Sequence, residues 1–345
     1  VRLVSFATTE PSGRVHHLGA LVSGDADAGE IIDLTAATRA LLASESIDPE
    51  AAARIAGVLV PASLIGFIEG GQRARDLSEA ALAGVLDRGW ELDRSGARLR
   101  WSSAAVEHLP AISSPPLLRD FMAFEEHLLN VFPKLGREIP EEWYRRPVYY
   151  KGNPSAIGAH GEDVAIPSYA DRLDLEFEFA AIIGRGGVDI QKDDALAHVF
   201  GYTIYDDFSA RDIQSAEMSV GLGPAKGKDF LGAHVLGPVV VTADELGDPY
   251  GLGMTARING ELWTDGSSSD MHWRFEDMIA YASLGEEIRV GEVFGSGTVG
   301  NGSGAEQGKS LSAGDVVELT VEKIGTLRNR VIESRPRQPA IPEVV

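Results

Sequence analysis

Acids at alternate positions mark where this chain can do chemistry. In Asp174-Leu175-Glu176-Phe177-Glu178-Phe179, the apolar Leu173, Leu175, Phe177 and Phe179 alternate with Asp174, Glu176 and Glu178. A β-strand sends successive side chains to opposite faces, so the pattern predicts one apolar face and one face of aligned carboxylates. Close like charges on a strand face cost up to about 1 kcal/mol per pair. A hard divalent cation between them removes that cost, and carboxylate oxygens suit Mg²⁺ or Ca²⁺. The alternative reading is a solvated edge strand.

Other reactive residue types stand at element ends. If a helix runs from Phe121 onward, His127 lies two turns beyond Asp120 on nearly the same face; the competing readings are a helix cap for Asp120 and a half-exposed surface histidine. The apolar run Tyr202 to Tyr205 ends in Asp206-Asp207, followed by Arg211 and Gln214 at i, i+3. That arrangement offers a further oxygen ligand and a polar clamp, or else a structural ion pair. Tyr149 and Tyr150 beside Lys151 can meet an anionic ligand or form an ordinary strand edge. The glycine-rich stretch 221–230 carries Lys226 and Lys228 but lacks the phosphate-loop spacing. A lysine there can hold a carboxylate or stabilise an oxyanion.

The elements that position these residues follow from the patterning. Short strands are expected over Val1 to Ala7, Val15 to Val22 and Ile31 to Thr35, with a Pro11-Ser12-Gly13 turn. Helical spacing runs from about 36 to 95, clearest at Leu77, Ala80, Ala81, Leu82, Val85 and Leu86. The proline-bearing segment Leu109 to Pro116 breaks both element types, which places a boundary between a small α+β N-terminal domain, 1–112, and a second domain, 113–345. Within the latter, Asn259-Gly260 predicts a hairpin. Val293 to Gly300 predicts a strand running into a glycine turn whose amides can approach a ligand. Val316 to Glu322 alternates as a strand, and the tail from about 334 reads as a loose arm.

Composition narrows the function classes. The 345 residues carry 31 Lys and Arg against 52 Asp and Glu, a formal net charge of −21. Nucleic acid and anionic membrane surfaces are therefore disfavoured as partners, whereas a local basic pocket can still take an anionic substrate. The absence of Cys excludes disulfides, thiolate nucleophiles and zinc–thiolate sites. No apolar run is long enough to span a membrane. The opening residues read as a strand and not a signal peptide, so a cytoplasmic location is the expectation.

Several stretches together resemble the fumarylacetoacetate hydrolase family over about 115–333. They are Asp120-Phe121 with His127 and Asn130-Val131, Glu176-x-Glu178, Asp207-Phe208-Ser209-Ala210-Arg211-Asp212-Ile213-Gln214, Gly227-Lys228-Asp229-Phe230, Gly297-Thr298, and Gly325-Thr326-Leu327-Arg328-Asn329. The resemblance implies an α+β, mainly β fold: a mixed β-sandwich roll that binds Mg²⁺, Ca²⁺ or Mn²⁺ and assembles as a homodimer. It implies Asp120, Glu176, Glu178 and Asp207 as metal ligands, leaving Asp174 a bystander. It implies His127 as the base, Glu318 (or its rival Glu322) as the acid orienting it, and Lys228, Arg211 and Gln214 as substrate and oxyanion contacts. Tyr150 and Thr298 match further substrate-contact positions. The implied activity is hydrolytic cleavage of a C–C bond in a 1,3-dicarbonyl acid, an acylpyruvate or a fumarylacetoacetate-like compound, through a metal-bound enolate. Decarboxylation or isomerisation of an oxo-dicarboxylic acid in aromatic catabolism uses the same enolate chemistry, and a catalytically inactive ligand-binding protein is the reading from another class. Met122 and Met218 stand where similar fumarylacetoacetases carry tyrosines, which points away from fumarylacetoacetate itself.

Overall fold

A computed structural model describes residues 1–11 and 13–334; the tail expected beyond 334 lies outside the described residues. The chain is α+β and strand-rich, organised by one large sheet. In spatial order that sheet runs Arg100–Ser102, Glu30–Asp33, Gly13–Ser23, Arg2–Glu10, His234–Thr242, Val199–Asp207, Phe177–Ile183, Val293–Gly295, Leu118–Phe121 and Tyr149–Gly152. Glu107–His108 pairs with Arg2–Glu10, and Ile157–Gly158 with His234–Thr242. The N-terminal strands thus continue the sheet that carries the acids.

A second sheet orders Glu261–Ser267, Gly253–Ile258, Val316–Val321, Gly325–Ile332 and Asp163–Ala165. Its hairpin turns at Asn259-Gly260, both with positive φ (52° and 82°), as the twist of a two-residue turn requires. Phe177, Phe179, Ile204 and Val241 of the large sheet pack with Met254, Val317, Leu319 and Leu327 of the second in one buried core. Burying a side chain of this size is worth about 1.5–3 kcal/mol. The opposite face of the large sheet presents Ala180, Ile182, Tyr205, Leu236 and Val293 to Leu64, Phe67, Ile68 and Ala74 of the N-terminal helices.

The acidic stretch is not one strand. Leu173–Asp174 pairs with Ser209–Ala210, the chain breaks at 175–176, and Phe177–Ile183 then enters the large sheet. The alternation survives the break, but neither face is solvated: Phe177, Phe179, Ala181 and Ile183 enter one core, Ala180 and Ile182 the other. Glu178 extends the second row beyond its apolar part.

Asp120 likewise belongs to a strand, not to a helix start. Leu118–Phe121 lies between Val293–Gly295 and Tyr149–Gly152, and the helix Glu125–Val131 begins four residues later. Its neighbour Arg119 is fully buried. It donates from Nε to Glu292 (2.9 Å), from Nη1 to Tyr149 (2.8 Å) and from Nη2 to Glu286 (2.8 Å). Glu292 is itself buried, so Arg119→Ala strands a carboxylate in the interior. We expect a loss of about 3–5 kcal/mol, read as a lowered urea midpoint.

Candidate active site

Sheet register brings the acids together. Tyr150 pairs across to Asp120, Asp120 to Gly295, Gly295 to Ala180, Glu178 to Tyr205, and Asp207 to His234. Gly295 sits where these strands converge. A Cβ at that position would lie 2.7 Å from Oδ1 of Asp120, 2.8 Å from the Tyr205 ring and 3.0 Å from Oε2 of Glu178. Only glycine lets the two carboxyls close on each other. Asp120, Glu176, Glu178 and Asp207 each offer an oxygen within 4.8 Å of the others, and all four are buried.

Their electrostatics divide them into two pairs. Burial alone would raise Glu176, but Arg211 and Lys228 overcome it and hold the carboxyl well below its usual range. Burial is overcome at Asp207 too, by Lys228 and His234. Arg211 Nη1 donates to Oε1 of Glu176 at 2.6 Å, and Lys228 Nζ donates to Oε2 of Glu176 (2.5 Å), to Oδ2 of Asp207 and to Oγ of Ser209 (2.9 Å). Tyr150 donates its hydroxyl to Oδ2 of Asp207 at 2.7 Å. Asp120 and Glu178 have no such cation. Burial, then the charge of Asp207 on the first and of Asp120 on the second, pushes both carboxyls far up. Oδ1 of Asp120 and Oε1 of Glu178 are buried without a hydrogen-bond partner, and Oδ1 of Asp207 meets only His234 Nδ1, at ion-pair distance (3.0 Å). Unpartnered carboxylate oxygens in an all-oxygen set fit a hard divalent cation.

His127 is buried on the helix Glu125–Val131, close enough to lower the Glu176 carboxyl further. Its acid is Glu306. Nδ1 of His127 lies 3.0 Å from Oε2 of Glu306, at ion-pair distance and out of line for a full hydrogen bond. Neither acid expected in that role is there. Glu318 points along its sheet to Arg328, 2.8 Å away, and Glu322 accepts from the amide of Gly253. The register of Val316–Val321 fixes this, because Glu318 lies opposite Arg328. Glu306 is held by a capping box: Ser303 donates its amide (3.0 Å) and hydroxyl (2.9 Å) to Oε2, while Asn301 N (2.8 Å) and Asn130 Nδ2 (3.1 Å) donate to Oε1. The Ser303-x-x-Glu306 spacing is a recognised helix-start signature, so this acid was findable in the sequence.

Asp174 stays outside the four-acid cluster but has structural work of its own. It is buried, and its carboxylate accepts from Leu175 N (2.9 Å), Gly304 N (2.8 Å), Ala305 N (2.9 Å) and Arg211 Nε (2.8 Å). It joins the ligand strand to the Glu306 segment. Gln214 is half-buried and accepts from Arg211 through its carbonyl (3.0 Å). Thr298 is buried in the turn after Val293–Gly295, next to Gly297, whose amide donates to Oε2 of Glu178 (2.8 Å). His234 has no local sequence signal: it reaches Asp207 (3.0 Å) only because the two are cross-strand partners.

Such a site, on such a sheet, defines a class. Residues 117–332 match the model of the fumarylacetoacetate (FAA) hydrolase C-terminal region. The chain belongs to the fumarylacetoacetate hydrolase family, whose members are enzymes: hydrolases, isomerases and tautomerases. It is 30% identical over 336 residues to oxaloacetate tautomerase YisK of Bacillus subtilis, covering 95% of this chain and 100% of the relative. It is 30% identical over 335 residues to the mitochondrial oxaloacetate tautomerase fahd2 of Xenopus laevis, covering 96% and 90%. The fold matches fumarylacetoacetate hydrolase from Exiguobacterium antarcticum (TM-score 0.67, 24% identity, 96% and 100% covered). It also matches maleylpyruvate hydrolase from Sphingobium sp. SYK-6 in complex with manganese(II) and pyruvate (TM-score 0.67, 22% identity, 97% and 100% covered). No helix among the described residues is long and apolar enough to cross a membrane.

Gly295→Ala tests the carboxylate cluster. Its methyl group intrudes on Asp120 and Glu178, and Mn²⁺ affinity measured by titration calorimetry is expected to fall by about 10–100-fold, the usual cost of disturbing a ligand's support.

Proposed function

We propose that this chain is a divalent-metal-dependent enzyme that moves a proton at the enolisable carbon of a small β-dicarbonyl acid, with oxaloacetate the first candidate. The observation that carries this reading is the His127–Glu306 dyad set beside four buried carboxylates. Two relatives of matching length named as oxaloacetate tautomerases support it. Asp120, Glu176, Glu178 and Asp207 would hold the ion, Mg²⁺ or Mn²⁺, which when bound supplies Lewis-acid polarisation of the substrate oxygens.

The remaining work falls to the chain. With Nδ1 turned to Glu306, the proton of neutral His127 belongs on that nitrogen, and Nε2 is left to take a proton. Glu306 stays ionised, since its hydrogen-bond donors and His127 overcome the effect of burial, and it stabilises the imidazolium that forms. Lys228 and Arg211 keep Glu176 anionic and offset negative charge that develops nearby. Keto–enol exchange then needs one proton taken from carbon and one returned to oxygen, or the reverse, without change of mass.

Hydrolytic C–C cleavage of an acylpyruvate is the second reading. The same dyad favours it, because a histidine backed by a buried glutamate is also suited to take a proton from water. Release of CO₂ from oxaloacetate would mark decarboxylation.

The deciding experiment follows enol-oxaloacetate by ultraviolet absorbance with enzyme and Mn²⁺, against metal alone and against chelator, with product masses measured in parallel. We expect enzyme-dependent loss of the enol without mass change, abolished by chelator. Two acids formed faster from acylpyruvates would replace this reading with the hydrolytic one. His127→Ala and Glu306→Ala should lower kcat, the first by about 10²–10⁴-fold, with Mn²⁺ affinity retained in both. Glu318→Ala should turn over like wild type. Near-full activity in His127→Ala would show that the base lies elsewhere.

A further inference from the structure

Lys228 reaches the cluster from a segment that apolar packing holds only at its two ends, where Ile213 lies against the core and Phe230 is buried in it. The preceding helix, Arg211–Met218, contains no fully buried residue. Past it, Val220 and Leu222 are exposed at 78% and 76%. Yet Lys228 itself is only 2% exposed, with its ammonium fixed among Glu176, Asp207 and Ser209. Between those anchors the chain is held by polar contacts.

Three consecutive backbone amides, at Ala225, Lys226 and Gly227, converge on one carboxylate. Oε2 of Glu217 accepts from Ala225 N (2.9 Å) and Gly227 N (3.1 Å), and Oε1 accepts from Lys226 N (2.8 Å). Successive amides turned to one point form an anion-binding nest, and here the last turn of the helix fills it. The three amides hold the Glu217 carboxyl below its usual range against burial, so the nest is occupied by an anion. Gly227 fits because a Cβ there would lie 2.7 Å from the backbone of Gln214. Its carbonyl accepts from Ala210 N at 2.7 Å. The same helix therefore meets Glu176 through Arg211 at its start and grips the Lys228 loop through Glu217 at its end.

We propose that Glu217 is the positioning residue for Lys228: its carboxylate plugs the 225–227 amide nest and so sets the ammonium between Glu176 and Asp207. The proposal rests on the functional reading above only in counting Lys228 among the working groups; the clamp itself is independent of substrate.

The test therefore has an arm that needs no activity. In the full chain, Lys228 is expected to resist an amine-reactive label while exposed Lys226 takes it, both read by peptide mass spectrometry. Glu217→Ala empties the nest, and Lys228 labelling should rise by about tenfold or more, with the reaction catalysed by the wild type slowed by about 10–100-fold. Formate in excess should refill the nest, lowering the labelling and restoring turnover, whereas chloride at equal ionic strength should do neither. Glu217→Gln keeps a single carbonyl acceptor and should fall between wild type and Glu217→Ala. Lys228 that stays protected in Glu217→Ala overturns the proposal, as does exposure that formate leaves unchanged. If no oxo-acid is turned over by the wild type, the functional reading fails, while the labelling arm still decides the role of Glu217.

Discussion

Repulsion among buried carboxylates is the constraint around which this molecule is arranged. Several negative groups within a few ångströms, away from water, would not stay ionised unaided. The fold answers unevenly. Glu176 and Asp207 receive Lys228 and Arg211 as permanent counter-charges, with Tyr150 donating to the second. Asp120 and Glu178 are brought together across Gly295 and given none. One half of the cluster is neutralised by the protein, and the other half keeps unpartnered oxygens that could take a cation.

The histidine dyad solves a different problem with the same economy. His127 and Glu306 lie far apart in sequence, and each stands on a short helix. What joins them to the acidic cluster is Asp174, which takes the first amides of the Glu306 helix and the guanidinium that also binds Glu176. The backbone of the Glu306 helix and the Glu176 carboxylate thus share one support. A frame of this kind fixes the position of His127 and Glu306 relative to the four acids.

Much of this was legible in the sequence, and the failures have physical causes. The acids at alternate positions, Asp207 after an apolar run, and the Asn259-Gly260 turn are local signals, and each stands where its local chemistry requires. The alternative of a solvated strand face is excluded, because period-2 alternation reports which side a residue faces, not what covers that side; here Asp120, Gly295 and Tyr205 close over Glu178. The orienting acid was misassigned because Val316–Val321 also alternates, and its acids sit on a strand face turned to Arg328. The structural role of Asp174 was not visible because the amides it takes, at Gly304 and Ala305, are 130 and 131 residues away. His234 carries no local mark: only register places it opposite Asp207.

The large sheet carries one more consequence, in the strand His234–Thr242. Its inner side pairs with Val199–Asp207, but its outer side is covered in relay. Ile157–Gly158 takes His234 and Val235, the amide of Ala111 takes the Leu236 carbonyl, and Arg2 and Leu3 take Val241 and Val240. Pro238 falls in the gap, a residue that offers no amide to a neighbour. Beyond it, Val239-Val240-Val241 is apolar and uncharged, and a bare margin there would leave unpaired backbone groups open to another strand. The first few residues of the chain thus serve as a selvedge, closing the margin of a strand in the sheet that holds the four clustered acids.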